Sequence, residues 1–320
     1  SNTEECINIE YIVDVNRFID LKNKLKSYEG KIYDTFKKQT HKEVILNNKK
    51  YYLVNTEEYI CIKTSPKDYT IIVEKNNATS TNWVVRIIRE LYLRIKENIG
   101  FNYMHGTGIE VNGKGVLLLG NSGSGKTTLA VKFLELEKKK GFLSNDRILI
   151  DKNLNMDYFP HATTYAMGTV KNNMHLDKYF KDTNILEKTK KISYKNVEYT
   201  IDCNTPLSDT EKIFNNTYMV ARTNLNLILY PRFKPDVQNV EVFDMTRDEK
   251  IEFLESTDFT PEDREALRKP WLMLRDISDE ELLIERNVLI DNIVDNVKIK
   301  KLVYGAKSSA VEIIEKLGGI

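Results

Sequence analysis

The sequence predicts an α/β fold: a mixed sheet with helices around it, preceded by a small β-rich unit. Three observations carry this. The apolar run Val116-Leu117-Leu118-Leu119 feeds straight into a glycine-rich loop and then a helical pattern. β-branched and aromatic runs at 59–63 and 69–73 mark the first 80 residues as strand-rich. Further apolar runs at 225–229 and 297–303 are separated by a helix-start pattern, as expected for an α/β core.

The elements follow in order. Ile7-Asn8-Ile9-Glu10-Tyr11 alternates like a half-buried strand. Ser65-Pro66-Lys67-Asp68 joins the runs at 59–63 and 69–73 into a hairpin with a longer turn. A polar break at 75–82 precedes a helix carrying Val84, Ile88, Leu91, Ile95 and Ile99 on one face. Thr81 or Asn82 caps its start and Gly100 ends it. The break sets the expected domain boundary: an accessory unit over 1–82 and a P-loop domain over 83–320. Asn112-Gly113, flanked by Ile109, Val111 and Val116, predicts a type I′ hairpin.

A helix starts near Lys126, with Leu129, Phe133 and Leu136 on one face. Lys138-Lys139-Lys140 and Gly141 read as its solvated end, lysines suiting the negative pole of the helix dipole. The stretch 151–222 is polar and weakly periodic, which predicts loops and short strands. Thr246-Arg247-Asp248-Glu249 is a capping-box pattern. A strand over 297–303 precedes a last helix capped by Ser308 and ended by Gly318-Gly319.

Composition narrows the function classes. The 320 residues are 41% hydrophobic and 30% charged, enough apolar material for a real core. Lysine and arginine total 48 against 47 acids, a net charge of +1, which argues against nucleic-acid binding through massed phosphate contacts. No run of about 18 apolar residues predicts a membrane span. The first residues lack a basic segment followed by an apolar one, so the expectation is a cytoplasmic protein. Cys6, Cys61 and Cys203 show no zinc or CxxC spacing and read as reduced, half-buried packing residues.

The chemistry concentrates in Gly120-Asn121-Ser122-Gly123-Ser124-Gly125-Lys126-Thr127, a full G-x-x-x-x-G-K-S/T match between strand and helix. The glycines let backbone N–H groups turn inward around phosphate at a helix N-terminus. Lys126 would reach the β- and γ-phosphates and the Thr127 hydroxyl would meet Mg2+, with Thr128 completing the phosphate-binding set. No LSGGQ-like or NKxD pattern occurs, and the strand before the loop is the second arm of a hairpin, unlike most P-loop NTPases.

Residues 103–120 (Tyr-Met-His-Gly-Thr-Gly-Ile-Glu-Val-Asn-Gly-Lys-Gly-Val-Leu-Leu-Leu-Gly), the P-loop, and Gly141-Phe142-Leu143-Ser144-Asn145-Asp146-Arg147 together resemble the catalytic core of HPr kinase/phosphorylase. That family shares its core with phosphoenolpyruvate carboxykinase and has relatives that phosphorylate lasso-peptide precursors. The resemblance implies a P-loop mixed sheet of that type, ATP and Mg2+ as cofactors, and phosphoryl transfer to a hydroxyl. The acceptor would be Ser or Thr of a protein or peptide, or else a small-molecule alcohol. It makes His105 an active-site histidine, Lys126 the phosphate lysine, Thr127 and Asp146 the metal-side residues, and Asp146 the base that takes the acceptor's proton. Asp151, ending Ile148-Leu149-Ile150 like a Walker-B strand, is the rival acid; Arg232 is a further candidate for a phosphate contact.

Two departures stand out. Asn145 occupies the place of the family's first aspartate, and the downstream Glu-x-Arg-Gly stretch is missing. Both leave open a second reading, a nucleotide-binding regulatory switch that transfers nothing. His161 and His175 read as ordinary polar residues. Assembly into a homo-oligomer is left open.

Overall fold

The computed structural model describes residues 6–34, 40–183, 190–194, 197–201, 205, 208–257, 272 and 276–319. Cys203 lies outside them. The chain divides into two compact units, Ser1–Ile99 with Thr260–Leu282, and Gly100–Phe259 with Leu283–Ile320.

The first unit is built on β1 (Asn8–Val13), α1 (Val15–Lys26), β2 (Lys31–Asp34), β3 (Thr40–Leu46), β4 (Lys49–Val54), β5 (Ile60–Lys63), β6 (Asp68–Val73) and α2 (Ala78–Asn98). Its strands form one sheet in the order β1-β6-β5-β4-β3-β2, with β1 parallel to β6 and the other pairs antiparallel. The β5–β6 pair is the hairpin expected across 65–68. Alternation along the strands sends side chains to two faces. Val44, Leu53, Ile60, Ile62 and Ile72 meet Phe18 and Leu25 of α1. Tyr52, Cys61, Tyr69 and Ile71 meet Trp83, Ile87 and Leu91 of α2.

That second packing moves the boundary. The first unit runs to Ile99, not 82, because α2 completes its core. The buried face of α2 is also rotated from the expected one. Trp83, Ile87, Leu91 and Arg94 are buried, whereas Ile88 is 40% and Ile99 62% exposed. The sequence pattern counted apolar residues only; Arg94 is buried because Glu90 and Glu97 on the same helix bind its guanidinium. The helix starts earlier too. Asn77, not Thr81 or Asn82, is the cap: its side chain accepts from Ser80 N at 2.9 Å and Ser80 Oγ accepts from Asn77 N at 3.0 Å. Asn77→Ala is expected to lower stability by about 1 kcal/mol, read from the denaturation midpoint. Gly100, at φ +86°, ends the helix as expected.

The second unit continues with β7 (Phe101–Met104), β8 (Gly106–Val111), β9 (Lys114–Leu119), α3 (Lys126–Leu134), β10 (Lys140–Ser144), β11 (Ile148–Asp151) and β12 (Asn155–Tyr158). Then come α4 (Met167–Lys171), α5 (Met174–Asp182), β13 (Lys190–Tyr194), β14 (Val197–Ile201), α6 (Asp209–Ile213), β15 (Thr217–Met219) and β16 (Arg222–Phe233). It closes with β17 (Glu241–Asp244), α7 (Arg247–Thr257), α8 (Asp279–Asn296, from Leu283 on), β18 (Lys298–Tyr304) and α9 (Ala310–Lys316). The large sheet is mixed, in the order β15-β10-β8-β9-β16-β12-β11-β7, with β18 on β16 and β17 on β18. The predicted α/β class with a mixed sheet holds.

The long strand β16 organises this sheet. Its start pairs antiparallel with β12, and its middle and end pair parallel with β9 and β18. Strand β9 is therefore central, between antiparallel β8 and parallel β16. Asn112 at φ +53° and Gly113 at φ +74° make the type I′ turn between β8 and β9. Residues of β9 alternate between two cores. Val116 and Leu118 pack with Leu129, Phe133, Phe180 and Ile313 on one face; Leu117 and Leu119 pack with Phe253, Leu289 and Ile293 on the other.

Several expectations need correction here. Helix α3 ends at Leu134, and Lys140 is not a solvated helix end but a strand residue, 3% exposed. Its ammonium donates to the Leu136 and Asn215 carbonyls, which is what allows a lysine to be buried. Among its described residues the stretch 151–222 holds the short strands expected and, beyond that expectation, three short helices. Asn173 caps α5, its side-chain oxygen accepting from Leu176 N at 2.9 Å. The last helix is capped by Ser309; Ser308 Oγ instead accepts from Gly305 N at 2.9 Å. The Thr246–Glu249 capping box forms as expected. Cys6 is exposed and Cys61 buried, so neither is half-buried.

Candidate functional site

A cavity of about 510 Å3 opens in the second unit where β9 gives way to α3. Ser122, Gly123, Gly125, Lys126, Thr127 and Thr128 line it, together with His105, Asn145 and Asp146. The loop 120–125 brings it about. Gly120, Gly123 and Gly125 have φ of +146°, +83° and +100°, a backbone that L side chains rarely adopt. At Gly125 space forbids a side chain as well: a Cβ would lie 2.6 Å from the Tyr304 hydroxyl and 2.7 Å from Phe233 Cβ. The Tyr304 hydroxyl donates to the Gly125 carbonyl at 2.7 Å and so ties the loop to the end of β18. Helix α3 starts directly after, with no side-chain cap, so its first N–H groups and the positive pole of its dipole face the loop.

Lys126 is 8% exposed. Its ammonium donates to the Gly120 carbonyl at 2.6 Å and to Asn121 O at 3.3 Å. Burial pulls its pKa below the usual lysine value; the charge of Asp146 opposes this. A desolvated cation folded on its own loop is poised for an anion.

The opposite wall comes from the ends of β7 and β10. His105 Nε2 lies 2.7 Å from Asp146 Oδ1. Asp146 takes φ +71°, a left-handed conformation that Asp tolerates better than most residues, and this turn after β10 aims its carboxylate at the histidine. The cavity walls disfavour its charge. The hydrogen bond and charge of His105, with Arg147 and His161 nearby, outweigh them and hold the carboxyl well below the usual range.

Asn145 holds the two walls together. Its Oδ1 accepts from the Thr107 hydroxyl at 2.8 Å and the Thr127 hydroxyl at 3.2 Å. An amide oxygen with two lone pairs suits two hydroxyl donors. Asn145→Ala leaves both hydroxyls without this acceptor, and it is expected to lower stability by roughly 1–3 kcal/mol, read from the urea midpoint.

The structure thus brings His105, Asn145, Asp146, Ser122, Gly123, Gly125, Lys126, Thr127 and Thr128 to one cavity; Gly120, Asn121 and Ser124 of the loop do not line it. The remaining two candidates lie elsewhere. Asp151 caps the β11–β12 turn: its carboxylate accepts from Asn153 N and Asn155 N, each at 2.9 Å, and from the Asn155 amide. Arg232 is exposed, bonded to the Tyr230 hydroxyl at 3.0 Å, and lines a separate groove with Asp244, Glu249 and Glu252. Strand alternation explains this, since its neighbour Phe233 lines the cavity instead. Sequence reasoning missed His161, which lines the cavity and reaches Asp146 electrostatically. Nothing in the irregular stretch around it marked it. His175 packs against Phe214, consistent with an ordinary polar residue. Among the described residues no group of three or more His, Cys, Asp or Glu could hold a metal ion, and no helix is long and apolar enough to cross a membrane.

No family model matches this chain, and no curated protein matches it.

Proposed function

We propose that the second unit is a P-loop kinase core of the HPr kinase/phosphoenolpyruvate carboxykinase type, acting in the cytoplasm on ATP with Mg2+. It transfers the γ-phosphoryl group to a hydroxyl, that of Ser or Thr in a protein or peptide ahead of a small-molecule alcohol. The observation that carries this reading is one cavity in which an ionised Asp146, paired with His105, faces the glycine loop and Lys126.

The roles follow from the chemistry. Loop N–H groups and Lys126 hold the phosphates. The acceptor oxygen bonds to the γ-phosphorus, the bond to the β–γ bridging oxygen breaks, and the hydroxyl proton passes to Asp146. The donor set fits Mg2+, which takes few protein ligands beside substrate phosphate and water. The Thr127 hydroxyl donates its hydrogen bond to Asn145 Oδ1 and keeps lone pairs for a cation, and Asp146 would add one hard oxygen donor. Mg2+ would supply charge neutralisation of the phosphates.

One observation favours a second reading. Asn145 stands beside Thr127 in place of a carboxylate, which suits a nucleotide-binding switch without transfer. Labelled ATP, Mg2+ and a peptide pool or cell extract separate the two. A discrete labelled product that depends on Lys126 and Asp146 supports the kinase; tight ATP binding with no transferred label overturns it in favour of the switch.

A further inference from the structure

The sheet of the first unit has two edges of unlike character. At one end β2 is four residues long, and two of them, Lys31 and Asp34, are charged. A short, charged strand is a poor template for pairing. At the other end β1 is six residues long, and Glu10 is its one charge. It carries no proline and no bulge: its register with β6 runs unbroken from Asn8↔Asp68 to Val13↔Val73. Every residue of β1 is at least partly exposed, and Val13 is 49% exposed.

The parity of β1 decides which backbone groups face outward. Asn8 N donates to the Lys67 carbonyl at 2.8 Å and Asp14 N to the Val73 carbonyl at 3.1 Å. Even-numbered residues therefore turn their N–H and C=O toward β6, and Ile9, Tyr11 and Val13 turn theirs the other way. Among the described residues β6 is the only strand paired with β1, so the outward groups of these three residues form an open row. Their side chains share one face, where Ile9 and Tyr11 pack against the core that holds Tyr69 and Trp83.

This row is complementary to itself. Set antiparallel to a second copy with Tyr11 opposite Tyr11, Ile9 falls opposite Val13 and Val13 opposite Ile9. Each of the three pairs brings outward groups to outward groups and exchanges two hydrogen bonds, which makes six. The paired side chains form an apolar ladder on one face. On the other face Glu10 meets Ile12 and Asn8 meets Asp14, with no like charges opposed. The two adjacent registers do worse: one sets Glu10 against Glu10, the other Glu10 against Asp14.

We infer that β1 is a homodimerisation edge. Two copies of the chain pair β1 with β1 about a twofold axis between their Tyr11 residues, joining two six-stranded sheets into one of twelve strands. The inference stands apart from the phosphate-binding reading of the second unit.

Sedimentation equilibrium of the full chain over a dilution series tests it. Twice the mass of one chain is expected at high concentration, with dissociation on dilution. Val13→Pro removes one outward N–H from each copy, hence two of the six bonds. It spares the bonds to β6, since proline is tolerated at an edge where the N–H faces outward. It should weaken the dimer by about tenfold or more, and its denaturation midpoint verifies that it is folded. Tyr11→Cys, in a Cys6→Ser background, should cross-link two copies on oxidation. Hydrogen-bonded antiparallel pairs hold their Cα atoms about 5.5 Å apart, within disulfide reach. Glu10→Cys in the same background should not cross-link. If Val13→Pro unfolds, these cross-links decide. Hydrogen exchange at Ile9, Tyr11 and Val13 identifies the occupant: protection that fades on dilution supports the second copy. Protection at every concentration means that another part of the chain covers the edge. Protection of a monomer on adding a peptide pool gives the edge to a peptide. Either overturns the dimer, as does the mass of one chain throughout, a dimer indifferent to a folded Val13→Pro, or cross-linking through Glu10→Cys in place of Tyr11→Cys.

Discussion

Asp146→Asn is expected to lower phosphoryl transfer by about 10²–10⁴-fold and to leave ATP binding nearly unchanged. The amide keeps the size of the carboxylate and can still accept from His105, so the wall of the cavity stays in place. What it loses is the ability to take a proton and the negative charge it would offer Mg2+; the triphosphate itself is held by the loop and Lys126. A switch protein would bind and respond to ATP equally well in both forms. The pH dependence gives a second check. His105 is the main group holding the Asp146 carboxyl below its ordinary value against the cost of its cavity. The base is therefore ionised throughout the neutral and mildly acidic range. Transfer should fall only as pH drops below the usual carboxylate pKa of about 4. His105→Gln removes the imidazole that holds the carboxyl down, so the acid limb should move to higher pH. The same sign governs stability: a depressed folded-state pKa stabilises above the unfolded value and is lost as pH falls through the folded one. An acid limb that stays put in His105→Gln would mean that another group sets it.

How much of this was legible depends on how local each feature is. The turn at Asn112-Gly113 and the loop at 120–127 were readable because their backbone needs particular residues at adjacent positions. His105 and Asp146 could be named only through a resemblance, since they meet across 41 positions of sequence. Helix α2 was placed, but its face was misjudged, because an apolar count cannot register Arg94 buried between two glutamates. Asp151 looked like a catalytic acid because a strand-terminal Asp serves a turn as well as a metal; its three accepted hydrogen bonds decide for the turn. Arg232 was lost to strand parity, which a sequence fixes only once the facing strands are known. Asn145 read as a lost acid. In the fold it holds Thr107 and Thr127, a role that depends on three segments meeting.

Lys126→Met is expected to reduce transfer by about 10²–10³-fold without lowering the denaturation midpoint. The two effects have one cause. The ammonium is buried among the loop carbonyls of Gly120 and Asn121, and burial has pulled its pKa down. For a cation this means that the folded state disfavours the charged form, so the charge costs stability wherever it is retained, up to the lowered pKa. Methionine fills a similar volume with no charge to desolvate. Its loss of two donors leaves the Gly120 and Asn121 carbonyls without this partner, a cost set against the removal of the desolvated charge. A lysine kept at such a cost is explained by a bound anion that returns the lost solvation, and in the function proposed above that anion is a triphosphate at the start of α3. Calorimetric ATP titration and a urea melt of the same variant check both halves. Retained triphosphate affinity in Lys126→Met would remove the lysine from the site. A large drop in midpoint would make it a structural tether of the loop, and the loss of transfer would then say nothing about phosphate.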